Sequence, residues 1–517
     1  MTDRIPTRPS GLLRQGARIA ATAGIALAIA LTTASNPAHS ATSPPSSGTS
    51  PCRIEGMPNE LQCGHIKRPL NPAEPGGTQI DIHFLVVPAM ARNKQPDPVL
   101  MLAGGPGQSA MAVAPMVMSR LARLNNRRDI VFIDQRGTGK SAPLQCADDR
   151  DLPIAEALDA SAQFKRLETC RLALAKLPHG DMRFYSTTIA MQDFEAVRAA
   201  LGAPQWNLIG GSYGTRAALE YLRLFPAQVR RTVLDGVAPP DMVLPASFST
   251  DGQAALDASL LACEQEPACQ QLFPKLRQEW AALLQSMPRQ VSVMHPLTGQ
   301  PESFTLSREM LLRSVRLPLY SPALAAALPA AIHAAHQGRL EGLMGLSGAL
   351  ASGKSSRLAM GMHFSVVCAE DVPRLEKSAD LPGADFGRDD ARLYTQVCQS
   401  WPRAQIAPAF FSMPPTASPV LLLSGGADPA TPPRHGERAA KALGATNAKL
   451  VQHIVVPEAG HGVMGVGCIR ELLFRFVDAK TDALALPQDA ACAAKIPRPG
   501  AFLPVQASST SAAKVQP

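Results

Sequence analysis

The chain has 517 residues, 46% hydrophobic and 18% charged, so it can bury a large core and is long enough for two domains. Aromatic residues make up 5%, the formal charge is +8, and no Lys/Arg run is present, which argues against a nucleic-acid platform. At the N-terminus, Arg4, Arg8, Arg14 and Arg18 precede an almost wholly apolar stretch over 19–31, and Ala38-His39-Ser40 offers small residues where a signal peptidase reads. Residues 1–40 are therefore expected to be a secretory signal, with a membrane anchor as the competing reading. The apolar run is too short to span a bilayer comfortably, so no stable membrane insertion is expected after its removal. Residues 41–51, rich in Ser, Pro and Thr, read as a flexible leader.

Residues 52–239 and 409–505 read as two parts of one core. Over 78–87, Ile80, Ile82 and Phe84 alternate with polar neighbours, as in an antiparallel edge hairpin. Short apolar runs then end in turn-forming residues: 99–102 before Gly104-Gly105, 130–133 before Asp134, 206–209 before Gly210, and 232–234 before Asp235-Gly236. The pattern returns at 420–423 before Gly425-Gly426 and at 450–456 before Glu458-Ala459-Gly460. Such runs suit buried parallel strands. Helical patterns lie between several of them. One starts at Thr187 or Thr188, carries Ile189, Phe194, Val197 and Leu201, and stops at Gly202; another follows Ser212 and stops at Pro226. Strands alternating with helices predict a doubly wound, mostly parallel sheet. From 240 to 408 the chain turns Ala- and Leu-rich with few strand signals, and reads as a helical cap inserted after the sixth strand. Residues 506–517 read as a disordered tail.

Ten cysteines in an exported chain suggest disulfides. Pairing sequence neighbours gives Cys52–Cys63, Cys146–Cys170, Cys263–Cys269, Cys368–Cys398 and Cys468–Cys492, although spacing alone does not determine connectivity. A zinc site is the rival use, but there is no Cys-x-x-Cys and no tight Cys/His cluster. Secretion or a periplasmic location follows as the expectation.

Gly210-Gly211-Ser212-Tyr213-Gly214 fits the strand–turn–helix nucleophile elbow of an α/β-hydrolase, with Ser212 raised above the sheet. A serine hydroxyl needs a base to take its proton, and this fold orders its triad Ser, acid, His. His461, between Gly460 and Gly462 after the last strand, is the candidate base; His435 and His453 are less well placed. Asp428, in the turn after the 420–423 strand, is the candidate acid that would hold the imidazolium. Asp235 is the alternative acid and reads better as a turn-making aspartate. Acyl transfer also needs oxyanion donors, and the amides of Tyr213 and Gly105 are the candidates, since Pro106 has none. A cis peptide before Pro106 is one option for that loop.

Together, Gly104-Gly105-Pro106-Gly107, Asp134-Gln135-Arg136-Gly137-Thr138-Gly139-Lys140-Ser141 and Gly210-Gly211-Ser212-Tyr213-Gly214-Thr215 resemble the prolyl-aminopeptidase-like branch of the α/β-hydrolases. Within that branch the chain resembles the exported tripeptidyl-aminopeptidase-like group. The resemblance covers most of residues 52–500 and includes the Gly-x-x-Asp-x-x-Thr-Pro stretch from Gly425 to Pro432. Ala103 departs from the histidine usual in prolyl aminopeptidases, which favours the tripeptidyl group. Asp134-Gln135-Arg136 reads as a loop-shaping element and not a catalytic one. The resemblance implies that cap acids recognise a substrate ammonium, and Glu370 and Asp371 in Cys368-Ala369-Glu370-Asp371 are the candidates. Alternatively, these acids favour the start of a following helix.

The expected activity is a serine exopeptidase that releases short peptides or residues from free N-termini through an acyl-enzyme, with a peptide as partner and no metal or organic cofactor. A carboxylic-ester hydrolase using the same triad is the alternative, and a non-catalytic binding module on the same scaffold is a third reading.

Overall fold

The apolar runs become strands whose successive side chains feed opposite faces of one sheet. In chain order the strands are β1 (Thr49–Cys52), β2 (Leu61–Pro69), β3 (Gln79–Val87), β4 (Val99–Leu102), β5 (Ile130–Ile133), β6 (Trp206–Gly211), β7 (Val229–Asp235), β8 (Arg289–Met294), β9 (Pro301–Leu306), β10 (Val420–Gly425) and β11 (Val451–Val456). The computed structural model describes residues 48–148, 152–295, 298–351 (side chains to 348) and 357–503. The expected signal, most of the expected leader and the C-terminal tail lie outside the described residues.

Among the described residues, nine strands form one sheet in the order β1-β2-β3-β5-β4-β6-β7-β10-β11. The β1, β2 and β3 pairings are antiparallel, and those from β5 through β11 are parallel. Alternation places Leu100, Leu102, Val131 and Ile133 in one apolar core and Val99, Met101, Ile130 and Phe132 in the other. Helices Thr187–Ala200 and Tyr213–Leu224 cover the first face, and helices Ala110–Asn125 and Ile469–Asp478 the second. Registers Leu102↔Gly210, Gly211↔Asp235, Leu423↔Asp235 and Gly425↔Val456 bring the C-terminal ends of β4, β6, β7, β10 and β11 to one edge, where such sheets bind ligands.

Between β7 and β10 the chain runs mainly through helices, from Ala246–Gln265 to Asp389–Ser400. They enclose their own apolar core, which includes Leu256, Trp280, Leu311 and Ile332. Three details differ from the sequence reading. Residues 49–51, read as leader, belong to β1, paired on β2 beside the Cys52–Cys63 disulfide. That extra strand makes β7, the strand before the cap, seventh in the chain. The cap also contains an antiparallel hairpin, β8–β9.

A second excursion, helices Ile154–Leu158 and Ala160–Leu174, joins the cap from the β5–β6 connection. Ile154 is part of the cap core and its N–H donates to Glu302 Oε2 at 2.7 Å. Five disulfides are formed: Cys52–Cys63, Cys146–Cys170, Cys263–Cys269, Cys368–Cys398 and Cys468–Cys492. Among the described residues, no helix is long and apolar enough to cross a membrane.

Candidate active site

Steric demands at the end of β6 shape the elbow. Ser212 adopts φ 55°, ψ −125°, a strained region for a residue with a Cβ. A Cβ on Gly210 would lie 2.4 Å from the Gly214 carbonyl oxygen, and one on Gly214 would lie 2.1 Å from the Leu102 carbonyl oxygen. Only glycine at both positions lets the strand turn this sharply into the helix Tyr213–Leu224. The Ser212 N–H donates to the Asp235 carbonyl at 2.9 Å, which ties the elbow to β7.

Asp428 and His461 meet above the same sheet edge. Asp428 is buried, and its Oδ1 accepts the amides of Ala430 (2.8 Å) and Thr431 (2.9 Å). Its Oδ2 accepts the Thr431 hydroxyl at 2.7 Å and lies 2.8 Å from His461 Nδ1. An ionised carboxylate makes Nδ1 the protonated nitrogen and leaves Nε2 free to take a proton. Burial works to raise the Asp428 carboxyl, but the histidine and these donors outweigh it and hold it below the usual range. For His461 burial again opposes the charged form, yet the Asp428 charge and hydrogen bond raise the ring above its ordinary value. The Thr431 hydroxyl lies 3.1 Å from Nδ1 and braces both partners. The sequence reading did not single out Thr431, although it stands in the Gly425–Pro432 stretch.

Ser212, His461, Gly105 and Tyr213 line one cavity of about 420 Å³. Among the described residues the ring's side-chain hydrogen bonds go to Asp428 and Thr431 and none to Ser212. In resting hydrolases this contact is often long and tightens when substrate binds. The Gly104-Gly105 loop crowds the serine, and a Cβ on Gly104 would lie 3.2 Å from Ser212 Cβ. The Gly105–Pro106 peptide is cis.

The Asp134-Gln135-Arg136 segment holds this loop. Asp134 Oδ1 accepts the Ser109 hydroxyl (2.6 Å) and the Met111 amide (3.1 Å), at the start of helix Ala110–Asn125. Gln135 donates to the Tyr213 hydroxyl at 3.0 Å, and Arg136 pairs with buried Asp193.

The other acids and histidines occupy structural positions. Asp235 Oδ1 and Oδ2 accept the amides of Val463 (2.7 Å) and Met464 (2.9 Å), so it clamps the loop that carries His461. His435 is buried against Asp251 at 2.8 Å, and His453 Nε2 lies 2.9 Å from Ser424 Oγ.

Glu370 and Asp371 call for a correction. Both are fully buried and neither lines the cavity. Asp371 forms a two-pronged pair with Arg216, at 2.9 and 3.1 Å, and accepts the Leu244 amide. Glu370 Oε1 accepts the Thr187 amide at 2.8 Å and so caps the helix Thr187–Ala200 from across the chain. Arg216 lines the cavity in front of them, so a substrate ammonium there would face a guanidinium and not these acids. Burial pushes the Glu370 carboxyl up to about 7, against the pull of Arg216.

A mostly parallel sheet with a serine elbow, an Asp–His pair at the strand ends and an inserted cap defines the class. The chain belongs to the alpha/beta hydrolase fold family, whose profile matches residues 97–467. It is 33% identical over 197 residues to a tripeptidyl aminopeptidase of Streptomyces coelicolor, an alignment covering 36% of each chain. It is 28% identical over 207 residues to the serine protease Hip1 of Mycobacterium tuberculosis, covering 37% of this chain and 39% of that one. To the carboxylesterase B of Mycobacterium tuberculosis it is 26% identical over 421 residues, covering 74% and 78%. The alignments to the first two proteins thus span well under half of their length.

Proposed function

We propose that the chain is an exported serine exopeptidase that releases short peptides or single residues from the free N-termini of peptides. The observation that carries this reading is the single cavity shared by Ser212, His461 and the amide-bearing residues Gly105 and Tyr213, with Asp428 hydrogen-bonded behind the ring. Ser212 Oγ attacks the scissile carbonyl while His461 Nε2 takes its proton. The amides of Gly105 and Tyr213 receive the oxyanion. His461 then gives the proton to the leaving amine, and water, activated by the same nitrogen, hydrolyses the acyl-enzyme. Asp428 keeps the ring in the required tautomer.

The cap supports the preference for chain ends. Met242, Leu244, Phe248 and Tyr320, from β7's exit and the cap, wall the cavity. Such a lid admits a peptide terminus and excludes a folded chain. Five disulfides support export, and the similarity to a tripeptidyl aminopeptidase supports the substrate class.

The test compares a tripeptide amide bearing a fluorogenic leaving group with its N-acetylated twin. An exopeptidase of this kind cleaves the free-amine form at least tenfold faster. Equal rates would reject the reading.

A second reading, hydrolysis of a carboxylic ester by the same residues, is favoured by one observation. Among the described residues the only carboxylate lining the cavity is Asp235, which already accepts two amides. Turnover of short acyl esters with no cleavage of any free-amine peptide would support it.

A further inference from the structure

Among the described residues two arginines line the cavity, Arg216 and Arg120. They differ in charge balance. Arg216 is fully buried and neutralised by Asp371 at 2.9 Å, with Glu370 3.5 Å away. Arg120 has no ion pair or side-chain hydrogen bond among the described residues, although its neighbour Arg123, on the same helix, pairs with Glu471. A partly desolvated guanidinium without a counterion attracts an anion, and its planar fork suits a carboxylate.

The position of Arg120 says which part of a substrate would supply that anion. A Cβ on Gly465 would lie 3.1 Å from Arg120 Nε and 3.2 Å from Cδ, so the Arg120 side chain packs closely against the loop after His461. Met464, in the same loop, and Val113 and Met116, on the same helix, line the cavity with Arg120, and Arg216, Met242 and Phe248 line it as well. His461 delivers its proton to the leaving nitrogen, so the fragment beyond the scissile bond departs past the loop that carries His461. Arg120 stands ten residues into helix Ala110–Asn125, about 15 Å along its axis from the helix start that follows the Gly104-Gly105 loop. Each extended residue adds roughly 3.3–3.6 Å to the leaving fragment, so a fragment of a few residues, met by the long arginine side chain, can span this distance.

We infer that Arg120 is a specificity-determining residue that binds the free C-terminal carboxylate of the leaving fragment, so that short peptides with an unblocked C-terminus are the substrate class. This rests on the exopeptidase reading above. It predicts a peptide trimmer whose substrates are supplied by prior peptide-bond hydrolysis, which yields short fragments with both termini free.

The test uses tetra- and pentaalanine as free acids and as C-terminal amides, with the mature wild-type protein and with Arg120→Gln and Arg120→Lys. Wild type favours the free acid about tenfold in kcat/KM at one length or both, chiefly through KM, and the preference shrinks as salt is raised. Arg120→Gln brings the acid-to-amide ratio close to one, and Arg120→Lys keeps part of the preference. A wild-type ratio near one at both lengths, or a wild-type ratio retained by Arg120→Gln, overturns the inference while leaving the exopeptidase reading intact. Failure to cleave any of the four peptides while a short acyl ester is hydrolysed overturns both.

Discussion

The backbone N–H of His461 donates to the carbonyl of Tyr320 at 3.0 Å, and the Tyr320 ring meets the imidazole edge-on with centroids 5.1 Å apart. Tyr320 ends the cap segment Leu317–Tyr320, so the cap and the proposed base form one mechanical unit. A Cβ on Gly460 would lie 2.6 Å from the same carbonyl oxygen, which shows how closely the two chains approach.

Removing the ring should loosen this unit. Tyr320→Ala is expected to lower kcat about tenfold, because small misplacements of a catalytic group are costly. Tyr320→Phe, which keeps the edge contact, should lower it far less. Steady-state kinetics on one fluorogenic amide distinguish the two, and equal losses would assign the effect to the hydroxyl.

Asp428 should set both the rate and its pH dependence. Catalysis needs the neutral ring, so activity is lost as pH falls through the His461 pKa, which lies above the ordinary histidine value. Asp428→Asn removes the charge that holds the imidazolium and the acceptor that selects the tautomer. It is expected to lower kcat by about 10³–10⁴ and to move the acid limb of kcat/KM to lower pH. A limb that stays in place would separate Asp428 from the base.

Arg216 should matter for stability. Arg216→Met leaves buried Asp371 and Glu370 without their nearest cation, with Arg374, 3.8 Å from Asp371, as the one that remains. Breaking a buried pair from one side costs about 3–5 kcal/mol. Urea unfolding should show a loss of that size, and a change under about 1 kcal/mol would mean that the acids find other partners or solvent.

Glu370 should make stability fall with rising pH. Its folded pKa, pushed up to about 7, lies above that of an unfolded glutamate at roughly 4.3. The folded chain therefore holds this proton to higher pH than the unfolded chain, and the stability so contributed is full below the unfolded value and lost as pH climbs through the folded one. Between pH 5 and 8 the Tm of wild type should fall more than that of Glu370→Gln, which stays neutral throughout. Parallel curves would show that Glu370 is ionised across the range.

Much of this architecture was legible in the residues because its causes are local. Short apolar runs followed by turn residues mark strands whose alternation feeds two faces. Gly210-x-Ser212-x-Gly214 announces a turn with no room for a Cβ, and chain order together with the turns after two later strands singled out Asp428 and His461. The cysteines pair with sequence neighbours, as in the 11-residue separation of Cys52 and Cys63, so connectivity followed the chain.

Contacts between segments far apart in the chain could not be read this way. Glu370 reaches Thr187 across 183 positions and Asp371 reaches Arg216 across 155. Sequence shows two acids in a cap; only folding shows that a cation and a helix N-terminus already use them. The same holds for β1, which needs β2 beside it, for the second excursion into the cap, and for the Tyr320 carbonyl on His461. A side chain's chemistry belongs to its residue type, but whether its charge is free for a substrate depends on which groups the fold packs against it.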